Sequence, residues 1–292
     1  MLLSKIFENQ ADTGVIKIVN EQEFDRFART TSVSSGKVCV FLAKEFYIRT
    51  IPTNASMIIT TEEIAEQLDG DVYGICISTD PKATFFKAFI RSNSPSRQDS
   101  FLTEIGENTS IAPMASISPK NVKIGDNVII EDFVTIYENV TIGDNCIIRS
   151  GVRLGVQDYN YFQDASGLHH LPHFGELIIE DNVEIGFNTV VGRSLYPGDK
   201  TIIGKDSKLA NCCGVGHDCK IGQRVLIHAG TMVAGYVEIG DDTHIMLNCS
   251  IKNGIKIGAN VHADMGSVVI RSIPDNQTVF GNPAKRVVTP QL

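Results

Sequence analysis

Aliphatic residues recur at every sixth position from residue 105 onward. The regular stretches cover residues 105–117, 124–154, 179–191 and 203–269, with one extra residue between the first two. A period of six fits neither an amphipathic helix, whose apolar residues return every three to four positions, nor a long strand with strict alternation. It predicts short strands joined by tight corners, three of which form one triangular coil of a parallel β-helix.

The first 104 residues lack this repeat and alternate short apolar runs with helical patterns. Strands are predicted at Val38–Leu42, Ser56–Ile59 and Tyr73–Ile77, and helices at residues 61–68 and 81–90. The sequence therefore predicts a mainly β protein in three parts, namely a small α/β domain at 1–104, a β-helix at 105–274 and a C-terminal tail at 275–292.

Charge and hydrophobicity narrow the classes of partner. The chain has 26 basic and 34 acidic residues, a net charge of −8, which argues against a nucleic-acid polymer or an anionic membrane surface as the main partner. The N-terminus lacks a basic segment followed by a sustained apolar run, and no apolar stretch is long enough for a transmembrane helix. We therefore expect a cytoplasmic protein without membrane insertion.

The seven cysteines are scattered without paired CxxC spacing. Cys146, Cys213, Cys219 and Cys249 each lie four residues after a periodic aliphatic, the position that Val and Thr take elsewhere in the repeat. This pattern predicts small core residues with reduced thiols, not a disulfide framework or a structural zinc site.

Several segments carry a resemblance to a known enzyme family. Residues 171–179 (LPHFGELII), 181–186 (DNVEIG) and 215–222 (VGHDCKIG) resemble the UDP-3-O-acylglucosamine N-acyltransferase of lipid A biosynthesis. Residues 41–47 (FLAKEFY) resemble the base-binding segment of the same family. The resemblance implies a left-handed parallel β-helix of hexapeptide repeats, preceded by a nucleotide-binding domain.

The C-terminus departs from that family. Residues 266–269 (GSVV), 273–275 (IPD) and 280–285 (FGNPAK) resemble the tail of coenzyme-A-dependent hexapeptide acetyltransferases. The combination is similar to sugar N-acyltransferases that modify UDP- or dTDP-linked amino sugars for surface polysaccharides. The expected reaction transfers a short acyl group from acyl-CoA, a cosubstrate and not a permanently bound cofactor, to the amine of such a sugar.

Acyl transfer needs a base for the attacking amine and a hydrogen-bond donor for the developing oxyanion. His217 occupies the position of the family's catalytic histidine, two residues after the inward Val215. One coil is 18 residues long, so Gly235 is predicted to stack on His217 and to offer its N–H to the oxyanion. The alternative for His217 is a corner histidine that only bonds a carbonyl. Asp218 is only a sequence neighbour of His217, so the group that orients the imidazole stays open.

Five residues are predicted to contact the nucleotide sugar, namely Phe41, Tyr47, Tyr159, His173 and Asn211. The first two would place aromatic rings against the base, because such faces stack on any base. Ordinary core packing is the alternative for Phe41. Asn211 lies six residues before His217. The family commonly has Asp immediately before this Asn, whereas this chain has Ala210.

Residues 155–176 interrupt the repeat and contain His169, His170 and His173. In β-helix trimers such excursions reach a neighbouring subunit, where active sites usually form. Three histidines can also bind zinc, but HHxxH spacing crowds the ligands into one loop. We therefore predict a loop that contacts sugar or solvent, and no metal.

The acyl donor is predicted to contact Gly235 and residues of the tail, namely Asn282, Pro283, Ala284, Lys285 and Arg286. Lys285 and Arg286 are available to coenzyme A phosphates, although a solvated basic terminus is the alternative. A homotrimer is expected, because a β-helix presents three flat faces that suit cyclic closure. Three other functions stay open: the lipid A enzyme using acyl carrier protein, a γ-carbonic-anhydrase-like metalloprotein, and a noncatalytic binding scaffold.

Overall fold

The computed structural model describes residues 1–8, 13–31, 35–93 and 100–287. The chain divides into two compact units. The first comprises Met1–Asp99 with Tyr159–Pro172, and the second comprises Ser100–Asp158 with His173–Leu292. The sequence analysis placed segment 159–172 within the β-helix domain, but this segment belongs to the first unit. The functional roles predicted for the three parts stay predictions.

The first unit is built on a five-stranded sheet. Its elements in chain order are helix α1 (Leu3–Ile6), strands β1 (Val15–Val19), β2 (Arg26–Phe27) and β3 (Val38–Leu42), a 3₁₀ helix (Glu45–Thr50), strand β4 (Ala55–Thr60), helix α2 (Glu62–Ala65), strand β5 (Gly74–Ser78) and helix α3 (Pro81–Ser92). The strand order is β1-β5-β4-β3-β2, with β1 antiparallel to β5 and the other neighbours parallel. A separate antiparallel hairpin pairs Tyr161–Asp164 with Gly167–His170.

Helix α3 begins where the sequence provides a cap. The Asp80 side chain accepts a hydrogen bond from the Ala83 N–H at 3.0 Å, and Pro81 opens the helix, where its missing N–H costs nothing. Three phenylalanines of α3 (Phe85, Phe86 and Phe89) are buried. The predicted small α/β domain is confirmed in its strands and in this helix.

The second unit consists of three parallel sheets whose strands are two to four residues long. The first eight-stranded sheet contains Glu104–Ile105, Val122–Ile124, Val140–Ile142, Glu176–Ile179, Lys200–Ile203, Lys220–Ile221, Glu238–Ile239 and Lys256–Ile257. The second eight-stranded sheet contains Ser116–Ile117, Thr135–Ile136, Arg153–Val156, Val190–Gly192, Gly214–Val215, Met232–Val233, Ser250–Ile251 and Val268–Val269. The ten-stranded sheet contains Ser110–Ile111, Ile129–Ile130, Ile147–Ile148, Glu184–Ile185, Lys208–Leu209, Leu226–Ile227, His244–Ile245, His262–Ala263, Thr278–Phe280 and Lys285–Val287, the last antiparallel.

Successive coils stack in register, so that the inward residue of each strand contacts its equivalent in the next coil. Val215 pairs with Val233, which pairs with Ile251, and all three are buried. The four repeat cysteines are also buried, and burial raises the pKa of the Cys219 thiol to about 12. The predicted left-handed β-helix of hexapeptide repeats and its thiol-containing core are confirmed.

Left-handed backbone at the corners turns the chain from one sheet to the next. Asp218 and Tyr236 have φ of 59° and 60°, and most other corners use Asn, Asp or Gly, for which this region is least costly. At many corners the side chain one coil on accepts the N–H of the residue before the turn. Asp241, for example, accepts from the Gln223 N–H at 2.9 Å.

The described residues contain no helix that is long and apolar enough to cross a membrane. The C-terminal strand Lys285–Val287 folds back antiparallel on Thr278–Phe280. Residues 288–292 of the predicted tail lie outside the described part of the chain.

Candidate active site

His217 lies at the corner between Gly214–Val215 of the second eight-stranded sheet and Lys220–Ile221 of the first. Its imidazole is largely buried, with a side-chain exposure of 10%. The ring Nδ1 is 2.8 Å from the Asp218 Oδ2. A carboxylate only accepts, so Nδ1 carries the hydrogen and Nε2 is left with its lone pair free to take a proton.

Further hydrogen bonds fix this pair. Asp218 Oδ2 also accepts from the Leu195 N–H at 3.1 Å, while the Asp218 N–H donates to Thr201 Oγ1 at 2.9 Å. The backbone N–H of His217 donates to Asp158 Oδ2 at 3.2 Å. Asp218 therefore holds the ring of His217, and Asp158 holds its backbone.

Gly235 stacks on His217 one coil further on, as the 18-residue repeat predicts. A Cβ at Gly235 would lie 2.8 Å from His217 Nε2, so the free nitrogen of the base faces this glycine. Among the described residues none accepts a hydrogen bond from the Gly235 N–H. The equivalent N–H one coil earlier, that of His217, donates to Asp158 Oδ2. The Gly235 N–H is thus available to a ligand.

Two aromatic rings flank His217. The His173 ring lies at a centroid distance of 5.2 Å and an interplanar angle of 62°, and the Tyr236 ring at 4.7 Å and 86°. His173 is completely buried, and neither of its ring nitrogens has a hydrogen-bond partner in the described chain. Burial, followed by the nearby His217, lowers the pKa of His173 to about 4, so its imidazole is neutral near pH 7.

Arg193 stacks beneath His217 in the preceding coil, because Val191 pairs with Val215. Arg193 is 3% exposed, and its guanidinium donates to the Glu138 carbonyl at 2.9 Å and to the Glu138 carboxylate at 3.3 Å. Burial lowers the pKa of Arg193, but the group stays charged because its ordinary value is so high. A cation is therefore held in the coil that precedes His217.

Phe41 and Tyr47, which are predicted to bind the base, contact different neighbours in the structure. Phe41 is half-buried on β3 and packs against Phe85 and Phe86 of α3 at centroid distances of 5.0 and 5.8 Å. Tyr47 lies on the 3₁₀ helix and packs instead against Phe46 at 4.3 Å. Phe46 is 65% and Tyr47 36% exposed. Phe46 and Tyr47 thus form an exposed aromatic pair in the first unit, a pairing that the sequence did not predict.

The other predicted sugar-binding residues occupy different environments. Tyr159 is 90% exposed and lies 4.9 Å from the Tyr161 ring. Asn211 lies at the corner that follows the ten-stranded sheet, not at the corner of His217, and its Oδ1 accepts from the Phe187 N–H at 3.0 Å. Their sugar contacts stay predictions, as does that of the buried His173.

The histidines of the 155–176 segment do not form one cluster. His169 Nε2 is 2.8 Å from Asp164 and 3.0 Å from Ser166, while His170 packs against Tyr161 within the hairpin. His173 belongs to the other unit and lies against His217. Across the described ranges no group of three or more His, Cys, Asp or Glu side chains is arranged to hold a metal ion.

The tail residues predicted to meet the acyl donor border a cavity of about 460 Å³. Pro283, Ala284, Lys285 and Arg286 line it together with Arg271, whereas Asn282 is exposed and does not line it. Arg271 occupies the same corner position as His217, three coils further along. Three basic side chains therefore border one cavity on the β-helix that also carries His217. The sequence did not predict that Arg271 is one of them.

Family models match the repeat region. The model described as "Bacterial transferase hexapeptide (six repeats)" matches residues 121–155 and 200–235, and the one described as "Hexapeptide repeat of succinyl-transferase" matches residues 236–271. These matches include both His217 and Gly235, which places the candidate site within hexapeptide-transferase repeats.

Curated relatives and solved structures point in the same direction. The chain is 29% identical over 138 residues to the UDP-3-O-acylglucosamine N-acyltransferase of Caulobacter sp. (strain K31), and 31% identical over 143 residues to that of Methylorubrum populi. These alignments cover 47% and 49% of this chain but only 40% of each relative. The chain therefore matches less than half the length of these proteins.

Among solved structures, the fold is similar to a UDP-N-acetylglucosamine acyltransferase of Bacteroides fragilis, with a TM-score of 0.57 and 25% identity over 65% of this chain and 74% of that one. The corresponding Arabidopsis enzyme gives a TM-score of 0.54 and 27% identity over 63% and 69%. Proteins named as acyltransferases of UDP-linked amino sugars are thus similar to this chain in both sequence and fold.

Proposed function

We propose that this protein is an N-acyltransferase that moves a short acyl group from acyl-CoA to the amino group of a UDP- or dTDP-linked amino sugar, for surface polysaccharide synthesis. The observation that carries the proposal is the placement of His217 Nε2 against Gly235, whose N–H has no acceptor among the described residues, while Asp218 holds Nδ1. A base and a proposed oxyanion donor thus lie next to each other on adjacent coils, and acyl transfer requires both groups.

The proposed reaction uses these groups as follows. The sugar amine attacks the thioester carbonyl, and His217 Nε2 removes the amine proton as the C–N bond forms. The Gly235 N–H stabilises the oxyanion, and Asp218 stabilises the imidazolium through Nδ1–H. Collapse breaks the C–S bond, and the leaving thiolate takes the proton from His217, which returns the base to its starting state.

The choice of acceptor rests on two supports. The similar proteins are named for UDP-linked amino sugars. The first unit, which we propose to be the nucleotide-binding domain, presents Phe46 and Tyr47 as an exposed aromatic pair suited to a nucleobase.

The choice of donor rests on the tail. Arg271, Lys285 and Arg286 border one cavity and provide charge for coenzyme A phosphates. A second candidate is the lipid A enzyme, which uses acyl carrier protein, and the names of the curated relatives favour it.

We also propose a homotrimer. Large apolar side chains are exposed at the corners that follow the ten-stranded sheet, among them Phe133 at 61%, Phe187 at 45% and Met265 at 60%. Exposed apolar surface of this kind is typical of protein contacts, and threefold closure would cover it. Light scattering that gave a monomer at micromolar concentration would contradict the trimer.

The activity is tested by offering nucleotide-linked amino sugars with a series of acyl-CoAs and measuring free thiol release. We expect turnover with the wild-type protein and a loss of about 10²–10⁴-fold in His217→Ala with the fold retained. Equal thiol release by the variant would contradict His217 as the base. If no donor, including acyl carrier protein, supported turnover, the result would favour a noncatalytic binding scaffold.

A further inference from the structure

Buried polar atoms without partners are concentrated around His217. Four buried side-chain nitrogen or oxygen atoms that lack a hydrogen-bond partner among the described residues belong to His173, Arg193 and Ser194. Proteins satisfy most buried polar atoms, because each unsatisfied one destabilises the fold. The cost is therefore concentrated next to the base.

His173 carries the largest part of this cost. Both of its ring nitrogens are unpaired, although a neutral imidazole can both donate and accept. A phenylalanine would fill a similar volume without that cost. A polar side chain retained against stability beside a reactive group indicates a role in the chemistry.

The surroundings of His173 define that role. Four ionisable groups act on it electrostatically, namely His217, Asp158, Asp218 and Arg193. Its ring lies 5.2 Å from the His217 ring at an interplanar angle of 62°, so a neutral polar ring, whose dipole can orient in the local field, lies beside the group that becomes positive on accepting a proton. A charged His173 would repel that imidazolium, and burial keeps it neutral.

We propose that His173 is a positioning residue for His217: a buried, uncharged imidazole that fixes the ring of the base and stabilises the positive charge the base acquires. This role differs from the sugar contact predicted from sequence, and it rests on the proposed acyl transfer. His173 touches neither reacting substrate; it acts through His217.

The test compares His173→Phe and His173→Gln with the wild-type protein, and His244→Phe serves as the matched control on the exposed face of the ten-stranded sheet. We expect His173→Phe to be at least as heat-stable as the wild type. Its kcat should fall by roughly tenfold or more, with KM for both substrates within about twofold. The acid limb of the kcat/KM profile should move to lower pH, because His217 becomes a weaker base, and His173→Gln should recover part of the rate.

A second readout separates this proposal from the acyltransferase assignment. The ring resonances of His217 followed by NMR across the neutral pH range should titrate at lower pH in His173→Phe, whether or not any substrate turns over. An unchanged titration and an unchanged acid limb would overturn the positioning role while leaving the acyltransferase proposal intact. A raised KM for the nucleotide sugar alone would instead restore the direct sugar contact.

Discussion

At the scale of single residues, the site depends on a histidine held by its own sequence neighbour. Adjacent side chains normally diverge, but Asp218 adopts left-handed backbone with φ of 59°, and this turn brings its carboxylate to 2.8 Å from His217 Nδ1. Asp is among the few residues that tolerate this conformation, because its short polar side chain can bond locally. The corner that turns the coil thus also orients the base.

Asp218→Asn tests this arrangement. The amide fills the same space but removes the charge that stabilises the imidazolium and can leave His217 in the wrong tautomer. We expect kcat to fall by about 10²–10⁴-fold with the fold unchanged, measured by thiol release and thermal melting. Asp206→Asn, at another left-handed corner with φ of 63°, is the matched control and should keep full activity. A small effect in Asp218→Asn would assign the orientation of His217 to its aromatic neighbours.

Gly235→Ala tests the facing residue. The new Cβ would lie 2.8 Å from His217 Nε2, so the ring must move away from the position of the attacking amine. We expect at least a tenfold loss of kcat, because small misplacements of catalytic groups are costly. Gly70→Ala, where a Cβ meets nothing within 4 Å, is the control for the substitution itself. Full activity of Gly235→Ala would show that the glycine is not needed beside the base.

At the scale of elements, the period of six was sufficient to predict the strands, the coils and the stacking of Gly235 on His217. In a solenoid with coils of constant length, residues separated by one coil stack on each other. The partners of His217 were not predictable in the same way. Asp158 and His173 come from the ends of the non-repeating segment that leaves the β-helix, where no period applies. Asp218 was visible in the sequence, but its direction depends on a backbone angle.

The 3₁₀ helix Glu45–Thr50 carries the element-scale prediction. Phe46→Ala and Tyr47→Ala should each weaken nucleotide-sugar binding by roughly 5- to 150-fold, the value of one base stacked on an aromatic ring, and should leave acyl-donor KM unchanged. Phe41→Ala should mainly lower the melting temperature, because Phe41 packs against Phe85 and Phe86. Calorimetric titration with the nucleotide sugar distinguishes these results. Loss of binding only in Phe41→Ala would return the base site to β3.

At the scale of the whole molecule, buried His173 makes stability depend on pH. Its pKa is about 4 in the folded chain and about 6.5 when unfolded, so between these values the unfolded state binds more protons. Stability therefore falls as pH decreases through this window, by about 3 kcal/mol in total for this residue. Denaturant unfolding at several pH values should show a smaller acid-side loss in His173→Phe than in the wild type. Identical pH dependence in both would place the His173 pKa near its ordinary value.

The distance between the base and the basic cavity, also a property of the whole molecule, bears on the identity of the acyl donor. The base and the basic cavity lie on one edge of the β-helix, since Gly235 and Arg271 occupy the corner position of His217 one and three coils further along. With coils about 4.8 Å apart, Arg271 lies roughly 14 Å along the helix from His217, a distance that an extended thioester arm can span. The phosphates of an acyl-CoA would then meet Arg271, Lys285 and Arg286 while its carbonyl lies at Gly235.

Acyl carrier protein would need a broad cationic docking face, because it is acidic, and this chain carries a net charge of −8. We therefore expect acetyl-CoA or a short hydroxyacyl-CoA to outcompete a long acyl chain on the carrier protein in a single assay. Arg271→Ala and Arg286→Ala should each raise KM for acyl-CoA about fivefold or more, the loss of one charge-assisted hydrogen bond, without changing KM for the sugar. Lys256→Ala, on the first eight-stranded sheet and paired with Glu238, is the control. Preference for the carrier-bound chain, with no effect of the arginine substitutions, would favour the lipid A reaction instead.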